Sequence, residues 1–340
     1  PLLKSGFFTT NDKVVKKFEE DHTQIKEFRQ LRKLLNTTKL TNYVLGDDGK
    51  VRASLNMFGT LTGRCSPSTA KYPLNASKWA RNFIKPTWGE NLYYIDYTAQ
   101  EPAIMGYLSG DKKLISNYQR GDIYLITAQE IGLIHDKYAT KETHKTERKI
   151  IKQLFLATGY GQGFKAISEN LGCSTFQAKD YLKKFKELYS HYDRWIQGVM
   201  SAGAVHNRIC TPYGWQRSIR GNLKWKDGKR VSIKNQLRNF PIQGTGSDIL
   251  RRAMIDLLDN HIKVIGPVHD ALIISAPIPD DKKILEEVKQ IMVNASIKVV
   301  GGPIRVDAEK ITGNWKQETK HQQIFDEIFL EINKFEQEQG

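Results

Sequence analysis

Asn91-Leu-Tyr-Tyr-Ile-Asp-Tyr-Thr-Ala-Gln-Glu101 is the stretch from which the fold of this chain can be worked out. Its first half has the length and the apolar, aromatic composition of a buried strand. The strand ends on Asp96, and Glu101 follows just before Pro102 and a helical pattern. A carboxylate at the tip of a buried strand is costly unless something pairs with it. Asp96 is therefore either a metal or catalytic ligand, or an ordinary strand-ending Asp or helix N-cap.

A second carboxylate lies in a similar place near the end of the chain. Two apolar runs, 264–268 and 271–275, meet at His269-Asp270, which predicts a hairpin with these two residues at its tip. Two strands of one sheet could place Asp96 and Asp270 side by side. Adjacent carboxylates repel unless a cation lies between them, and such a pair suits two Mg²⁺ ions about 3.5–4 Å apart. The alternative is two unrelated surface acids.

A basic helical face follows from the spacing of Arg148, Lys152, Leu156 and Tyr160, with Gly161 next to the last of them. Steps of four residues place all four side chains along one face, over about 18 Å. Arg and Lys one turn apart can hold the phosphates of a triphosphate. Tyr160 would then meet a base or sugar, and Gly161 would cap the helix. The alternative is a solvated basic stripe beside a core tyrosine.

Composition narrows the class of partner. The formal net charge of +15 points to a polyanion, and nucleic acid fits better than a membrane surface. No apolar run approaches the ~20 residues of a membrane span, and no signal-peptide pattern is present. Cys65, Cys173 and Cys210 are widely spaced and never form Cys-x-x-Cys. This pattern disfavours a disulfide framework or a Cys-rich zinc site, and it predicts an intracellular, reducing compartment.

The order of the patterns predicts the fold class. Strand patterns occur early, near 91–96, and late, near 264–275 and 304–306. Helical patterns lie between them, and the clearest span 111–118, 122–131, 145–158, 175–200 and 231–258. Strands at both ends with helices between them indicate an α+β domain interrupted by a helical lobe.

Five motifs, in this order along the chain, resemble those of family A DNA polymerases, the bacterial DNA polymerase I type. The first catalytic motif of that family is matched by residues 96–101, the finger-helix motif by residues 148–161 and Val-His-Asp-Glu by residues 268–271. Two further stretches also match, Thr62-Gly63-Arg64 and Asn239-Phe240-Pro241-Ile242-Gln243-Gly244-Thr245. The resemblance runs from about Asp12 to Trp315.

The resemblance implies a right-hand polymerase of α+β class, with an antiparallel palm sheet, a helical fingers insertion and a thumb that is largely missing. The implied divisions are 1–45 as a thumb-base or palm-entry segment, 46–110 as the first part of the palm, 111–225 as fingers, 226–318 as the second part of the palm, and 319–340 as a C-terminal amphipathic helix. That helix packs either on the palm or on a missing N-terminal region or partner protein. Because the chain begins with Pro1, we expect a fragment or a processed product.

The resemblance also implies roles for matching residues. Asp96 and Asp270 would be catalytic and would bind two Mg²⁺ ions, with Mn²⁺ as a substitute, helped by the backbone carbonyl of Tyr97. Glu101 would block a ribose 2′-OH. Nucleotide contacts are implied for Arg148, Lys152, Leu156, Tyr160, Glu101, Gln100 and Tyr124. Contacts to the template–primer, mostly in the minor groove, are implied for Arg64, Asn239, Gln243, His269 and Asn235.

Four positions depart from the family pattern. Ala271 replaces the Glu of the last motif, so a third acid is missing near the metals. Leu156 replaces an aromatic residue that faces the sugar, which puts discrimination against dideoxynucleotides in doubt. Tyr124 stands where the family commonly has a phosphate-contacting His, and Asn235 where it usually has Arg.

These observations predict a DNA-directed DNA polymerase that adds dNTPs to a primer 3′-OH, in replication or repair. We expect a monomer in a bacterial or phage-infected cytoplasm, with an organelle as the alternative. One rival is a single-subunit RNA polymerase, which Glu101 argues against because an enzyme using rNTPs should leave room for the 2′-OH. The other rival is a catalytically silent nucleic-acid-binding protein, which the intact Asp96, Asp270, Arg148 and Lys152 argue against.

Overall fold

The computed structural model of the chain describes residues 45–67, 83–218 and 234–311 without a break. It also describes shorter stretches between 12 and 43, at 72–75, 225–226 and 229–230, and between 323 and 337. The chain divides into two compact units. One comprises Pro1–Leu55, Pro67–Lys85 and Thr312–Gly340, and the other comprises Asn56–Ser66 and Pro86–Ile311.

The first unit contains two described helices, α1 (Asp12–Val15) and α2 (Thr23–Thr37). Arg29 of α2 pairs with Asp12 at 2.9 Å. Around residues 46–49, an isolated antiparallel bridge joins Leu45 to Val51. Short strands β1 (Leu55–Asn56) and β2 (Ser66–Pro67) lie at the boundaries of the units.

Part of the predicted C-terminal helix is described, and residues 326–330 are helical. Phe329 and Leu330 are about half exposed. The other members of the predicted apolar stripe, apart from Ile328, lie outside the described residues: Ile324, Phe325, Ile332 and Phe335.

The second unit carries the remaining described strands and helices. The strands are β3 (Glu90–Tyr97), β4 (Arg208–Cys210), β5 (Gln216–Ser218), β6 (Trp225–Lys226), β7 (Lys229–Arg230), β8 (Lys263–Val268), β9 (Ala271–Pro277) and β10 (Val306–Lys310). The helices are α3 (Gln100–Ser109), α4 (Lys112–Arg120), α5 (Ile123–Glu130), α6 (Lys145–Tyr160), α7 (Phe164–Leu171), α8 (Thr175–Leu188), α9 (Ser190–His206), α10 (Lys234–Asp259) and α11 (Asp281–Val300).

Four of these strands form an antiparallel sheet in the order β10-β3-β9-β8. The helices α3 to α9 are inserted in the chain between β3 and the β8–β9 hairpin. Strands β4 and β5 form a separate hairpin, as do β6 and β7. The predicted α+β class, with an antiparallel sheet and a helical insertion, is confirmed.

Alternation along β3 separates a core face from an open face. Tyr93, Ile95 and Tyr97 are buried, and the Tyr97 hydroxyl donates to the carbonyl oxygen of Met292 in α11 at 2.7 Å. Tyr94 and Asp96, which alternate with them, are only half-buried. Since successive side chains of a strand point to opposite faces, Asp96 points away from the helices that cover the core face.

The helix predicted over residues 175–200 is two helices, α8 and α9, which meet at Tyr189. That residue leaves the helical region with φ −111° and ψ 53°. Its ring is buried against Phe155 and Phe185, and its hydroxyl bonds Thr127 at 2.6 Å and Asn117 at 3.2 Å. The break therefore lets Tyr189 reach both the aromatic core and two polar partners.

The last strand also differs from its prediction, because it begins at Val306 rather than near Ile304. The backbone N–H of Ile304 donates to the Ser296 hydroxyl at 2.8 Å, and that of Arg305 donates to the Tyr118 hydroxyl at 2.9 Å. These two donors are satisfied outside the sheet, so pairing with β3 starts at Val306. In the part of the chain that the structure describes, no helix is long and apolar enough to cross a membrane.

Asp111 offers a test of how the insertion is held together. It is buried, its side chain caps α4 by accepting from the Leu114 N–H at 3.0 Å, and it also accepts from the Tyr192 N–H at 3.1 Å. Asp111→Ala is expected to lower the free energy of unfolding by about 2–3 kcal/mol, because the cap is lost and a buried N–H is left unpaired. Urea unfolding followed by circular dichroism measures the change.

The matched control is Asp180→Ala, because Asp180 makes only an exposed pair with Lys184 on α8. We expect it to change the free energy of unfolding by less than about 0.5 kcal/mol. Equal unfolding midpoints for the two variants would contradict the assigned role of Asp111.

Candidate active site

Two carboxylates meet where β3 and β9 run side by side. Asp96 is the pairing partner of Ala271, and Asp270 immediately precedes that residue. The two acids therefore lie at the same end of neighbouring strands, although 174 residues separate them in the chain. The strand register thus confirms the prediction that neighbouring strands bring these two carboxylates side by side.

The tip of the β8–β9 hairpin is a two-residue turn. Val268 pairs with Ala271, so His269 and Asp270 form the turn, as the sequence predicted. His269 has a φ of 59°, in the left-handed region that costs a non-glycine residue free energy. His269 is exposed and Asp270 is half-buried, so both side chains are available to a ligand.

The oxygen donors at this edge suit a hard divalent cation. Asp96 and Asp270 supply carboxylates, and the backbone carbonyl of Tyr97 is next to the first of them. Within the described residues, no group of three or more His, Cys, Asp or Glu side chains is arranged to hold a metal. One or two carboxylates commonly hold Mg²⁺ together with water and substrate phosphates, so the two acids have the donor chemistry that this ion uses.

A third acid near this edge was missed by the sequence reasoning. Asp307 of β10 is the pairing partner of Asp96 on the other side of β3. Its carboxylate accepts a hydrogen bond from the Thr98 hydroxyl at 2.6 Å. Asp307 was overlooked because the last strand was predicted to end at Val306, one residue before it. Ala271, where the family has Glu, is fully buried opposite Asp96 on the other neighbouring strand.

Arg148, at the start of the predicted basic face, is held by two neighbours. Its Nε donates to the carboxylate of Asp122 at 2.8 Å, and its guanidinium lies over the Tyr124 ring, 4.9 Å from the ring centroid. Burial raises the pKa of Tyr124 to about 12, although Arg148 acts in the opposite direction. Asp122 also caps α5. The arginine is thus positioned by the helix that precedes its own.

The rest of that face follows the predicted order along α6. Lys152 is exposed and forms no ion pair within the described chain, whereas Leu156 is half-buried. Tyr160 ends the helix with 36% of its surface exposed. Gly161 has φ 66° and caps the helix, as predicted. The face therefore changes from basic and open at one end to aromatic at the other.

Glu101, in the first turn of α3, lies in a partly desolvated cluster of charges. The Arg64 guanidinium is 3.8 Å from its carboxylate, and the two side chains are 30% and 19% exposed. Burial raises the pKa of Glu101, Arg64 lowers it and the charge of Asp270 raises it. Glu101 therefore lies within the electrostatic reach of a predicted metal ligand.

Tyr160 connects this cluster to α10. The Nε2 of Gln243 donates a hydrogen bond to the Tyr160 hydroxyl. Burial raises the pKa of Tyr160, and the charge of Glu101 raises it further. The structure thus brings together Glu101, Arg64, Gln243 and Tyr160, which the sequence placed in four separate motifs.

Two buried amides in this region have no hydrogen-bond partner within the described chain. They are the Nε2 of Gln100 and the Nδ2 of Asn239. Buried donors are nearly always paired in native structures, so an unpaired one is a group that a ligand can satisfy. Gly246 leaves space for the side-chain amide of Gln100, because a Cβ at position 246 would lie 2.7 Å from the Oε1 of Gln100.

A small open pocket joins the carboxylate edge to the loop that carries Arg64. Some of the polar side chains that line it are predicted to bind the metals, and others are predicted to contact the DNA. The side chains that give it this character are Arg64, Cys65, Gln100, Arg251, His269 and Asp270. Among the sequence-predicted site residues, Asn235 is helical, but its side chain lies outside the described residues.

The family model for DNA polymerase family A matches residues 2–317. DNA polymerase I of Chloroflexus aurantiacus is 25% identical over 334 residues, which cover 93% of this chain and 34% of the relative. DNA polymerase I of Deinococcus radiodurans is 27% identical over 298 residues, which cover 82% and 30%. The chain therefore spans about a third of the length of these curated relatives.

A solved structure has the same fold. It is described as the POL domain of Pol1 from M. smegmatis in complex with DNA primer-template and dNTP. The TM-score is 0.76 at 21% identity, over 91% of this chain and 56% of that chain. The predicted right-hand polymerase fold is confirmed by this likeness.

The buried carboxyl of Glu101 leads to a prediction on pH. Because its pKa is raised in the folded chain, its charged form destabilises that chain, and the effect grows as pH rises from 4.5 through the raised pKa. Glu101→Gln is therefore expected to raise the unfolding midpoint at neutral pH and to lose that advantage as pH falls toward 4.5. Thermal unfolding measured across this pH range tests the expectation.

Glu130→Gln is the matched control with the opposite sign. Lys113 and Arg120 lower the pKa of Glu130, so its charge stabilises the folded chain above 4.5, and this contribution is lost as pH falls through the lowered pKa. Glu130→Gln should lower the midpoint at neutral pH and have little effect in acid. A shift of the same sign in both variants would contradict the assignment for Glu101.

Proposed function

The chain belongs to DNA polymerase family A, and we propose that it catalyses template-directed addition of dNTPs to a primer 3′-OH. The observation that carries the proposal is the pairing of Asp96 with Ala271, which brings Asp270 beside it at one edge of the sheet. The reaction is in-line attack of the primer hydroxyl on the α-phosphate, with release of pyrophosphate. Membership of the family supports this chemistry, and the donor set at the sheet edge fits it.

Asp96, Asp270 and the backbone carbonyl of Tyr97 are proposed to hold two Mg²⁺ ions, with Mn²⁺ as a substitute. When bound, the metals would lower the pKa of the primer hydroxyl and compensate the charge on the leaving pyrophosphate. The chain's own contribution is the fixed separation of the two carboxylates, since the register of β3 and β9 sets it. His269 at the adjoining turn is proposed to contact the primer terminus.

Arg148 and Lys152 are proposed to bind the triphosphate of the incoming nucleotide. Arg148 already faces a carboxylate, Asp122, at 2.8 Å. A phosphate would share or replace that partner, because guanidinium binds both groups with the same two-pronged geometry. Lys152 is exposed and supplies a mobile point charge. Tyr124, stacked on Arg148, is proposed to border the phosphates in place of a histidine.

The sugar and base of the nucleotide are proposed to lie between Glu101 and Tyr160. Glu101 would exclude a 2′-OH, and Tyr160 would stack near the templating base. Leu156, one turn before Tyr160, would face the sugar with an aliphatic side chain. The buried amide of Gln100 has a donor to offer a nucleotide at this position.

Arg64, Asn239, Gln243 and Asn235 are proposed to contact the template–primer. Their donors would reach minor-groove acceptors, which occupy similar positions in every base pair and therefore suit binding without sequence preference. The net charge of +15 would add phosphate contacts, whose strength falls with salt. This division of contacts supports a polymerase that copies any template.

We propose the following divisions of the chain. Residues 46–110 and 226–318 would form the palm, 111–225 the fingers, 1–45 the thumb-base or palm-entry segment, and 319–340 a C-terminal helix. The chain is proposed to work as a monomer, on primer–template and dNTPs, in an intracellular reducing compartment. Its three cysteines are all free, which is consistent with that compartment.

Primer extension with substituted carboxylates tests the two-metal assignment. Asp96→Asn and Asp270→Asn are each expected to lower the rate of single-nucleotide extension by at least roughly 100-fold, because a neutral amide is a poor ligand for Mg²⁺. Asp280→Asn, an exposed acid beyond the far end of β9, serves as the control and should keep the wild-type rate. Near wild-type extension by either site variant would overturn the assignment.

Sugar selection distinguishes the proposed function from that of an RNA polymerase. Glu101→Ala is expected to reduce the preference for dNTP over rNTP by about 100-fold, because space opens for a 2′-OH. The ratio of kcat/KM values for matched dATP and rATP insertion measures it, with Glu130→Ala as the control. A wild-type preference for rNTP would favour the RNA polymerase, and DNA binding without any metal-dependent extension would favour the silent binding protein.

A further inference from the structure

The loop that carries Arg64 is fastened at two backbone carbonyls. The indole N–H of Trp215 donates to the carbonyl oxygen of Leu61 at 3.2 Å. The guanidinium of Arg251 donates to the carbonyl oxygen of Gly63 at 2.7 Å. Both donors come from side chains more than 150 residues away in sequence. The peptide just before Arg64 is therefore fixed from outside its own loop.

Arg251 itself is tightly constrained. Its guanidinium pairs with Asp248 at 3.2 Å, and the two side chains are 18% and 7% exposed. It also lies over the Phe58 ring at 4.2 Å from the centroid. Phe58 in turn stacks on Trp215, with centroids 4.9 Å apart and planes at 24°. A cation held between a carboxylate and an aromatic face has little freedom to move.

The anchoring extends to the β4–β5 hairpin. The hydroxyl of Thr211 donates to the second carboxylate oxygen of Asp248 at 2.5 Å and accepts from the backbone N–H of Trp215 at 3.2 Å. One hydrogen-bonded chain thus joins the hairpin, α10 and the loop. Arg251 lies at its junction with the loop.

Gly63 lets both donors approach. It has a φ of 72°, and a Cβ there would lie 3.1 Å from the indole nitrogen of Trp215 and 3.3 Å from a guanidinium nitrogen of Arg251. A larger residue would therefore have to displace one donor. Arg64 follows directly, its own N–H bonds the Thr60 hydroxyl at 2.9 Å, and its guanidinium is 3.8 Å from Glu101.

We propose that Arg251 and Trp215 are positioning residues that set the place of Arg64 beside Glu101. They act through the carbonyls of Gly63 and Leu61, to which their side chains donate hydrogen bonds. The consequence for catalysis rests on the proposed function, whereas the anchoring of the loop does not. Arg251 therefore controls how the primer–template and the incoming sugar meet Arg64 and Glu101.

A double-mutant cycle tests the catalytic consequence. Arg251→Lys keeps the charge but loses the fork that spans Asp248 and Gly63, and we expect kcat/KM for single-nucleotide insertion to fall about tenfold or more. In an Arg64→Ala background the same change should cost less than about twofold, because the residue through which it acts is gone. An equal fold-loss in both backgrounds, or no loss in either, would overturn the proposal.

Two further variants separate positioning from general damage. Trp215→Phe retains a ring against Phe58 but lacks the N–H that reaches Leu61, so its loss should be smaller and should also vanish in the Arg64→Ala background. Arg252→Lys changes the neighbouring arginine, which pairs with Asp256 instead. It should leave kcat/KM unchanged.

Labelling of Cys65 tests the anchoring without any need for activity. Cys65 is half-buried and adjacent to Arg64, so its reactivity reports the position of the loop. In a Cys173→Ser, Cys210→Ser background, Arg251→Lys is expected to raise the rate of maleimide labelling about fivefold, whereas Arg252→Lys should not. An unchanged rate in Arg251→Lys refutes the anchoring, and a wild type that labels slowly but fails to extend primers refutes only the proposed function.

Discussion

The register between β3 and β9 is the constraint on which the site depends. Asp96 pairs with Ala271, and Tyr93, Ile95 and Tyr97 alternate with it on the core face. Since side chains alternate with a period of two, a slip of one residue would bury Asp96 among the aromatic residues and expose the core. The hydrophobic pattern that stabilises the sheet therefore also fixes where the two carboxylates lie. Stability and site geometry are specified by the same residues.

Burial has a different role one turn beyond that strand. Glu101 is the second residue of α3, and the five residues after it are all buried, so its carboxylate is partly removed from water. The free energy spent on that desolvation is offset only in part by Arg64 at 3.8 Å. Because water is partly excluded there, the charges around Glu101 interact through a medium of low dielectric constant, which strengthens their Coulomb interactions. The proposed exclusion of a ribose 2′-OH by Glu101 would take place in this polar but poorly solvated cluster.

Structural features that depend on the spacing of nearby residues in the chain were predictable from the sequence. The strand that carries Asp96, the hairpin tip at Asp270 and the stepped face of α6 all follow from residue spacing, although β3 continues one residue beyond Asp96. The partners of these residues were not predictable, because they depend on side chains brought together by the fold. Asp122 meets Arg148 from 26 residues away, and Arg251 meets the Gly63 carbonyl from 188 residues away. The break at Tyr189 likewise depends on hydroxyl partners 62 and 72 residues distant. The roles of individual residues in binding metal, nucleotide or DNA remain predictions.

The order of strands in the sheet has a consequence for biosynthesis. β3 is a central strand, yet both of its partners, β9 and β10, lie beyond the helical insertion in the chain. At synthesis rates of about 5–20 residues per second, the roughly 175 residues between β3 and β9 delay the first partner by about 10–35 seconds. During that interval an aromatic strand has two unpaired edges, which are templates for association with other chains. Folding of the inserted helices before β9 emerges would shield the strand until its partners arrive.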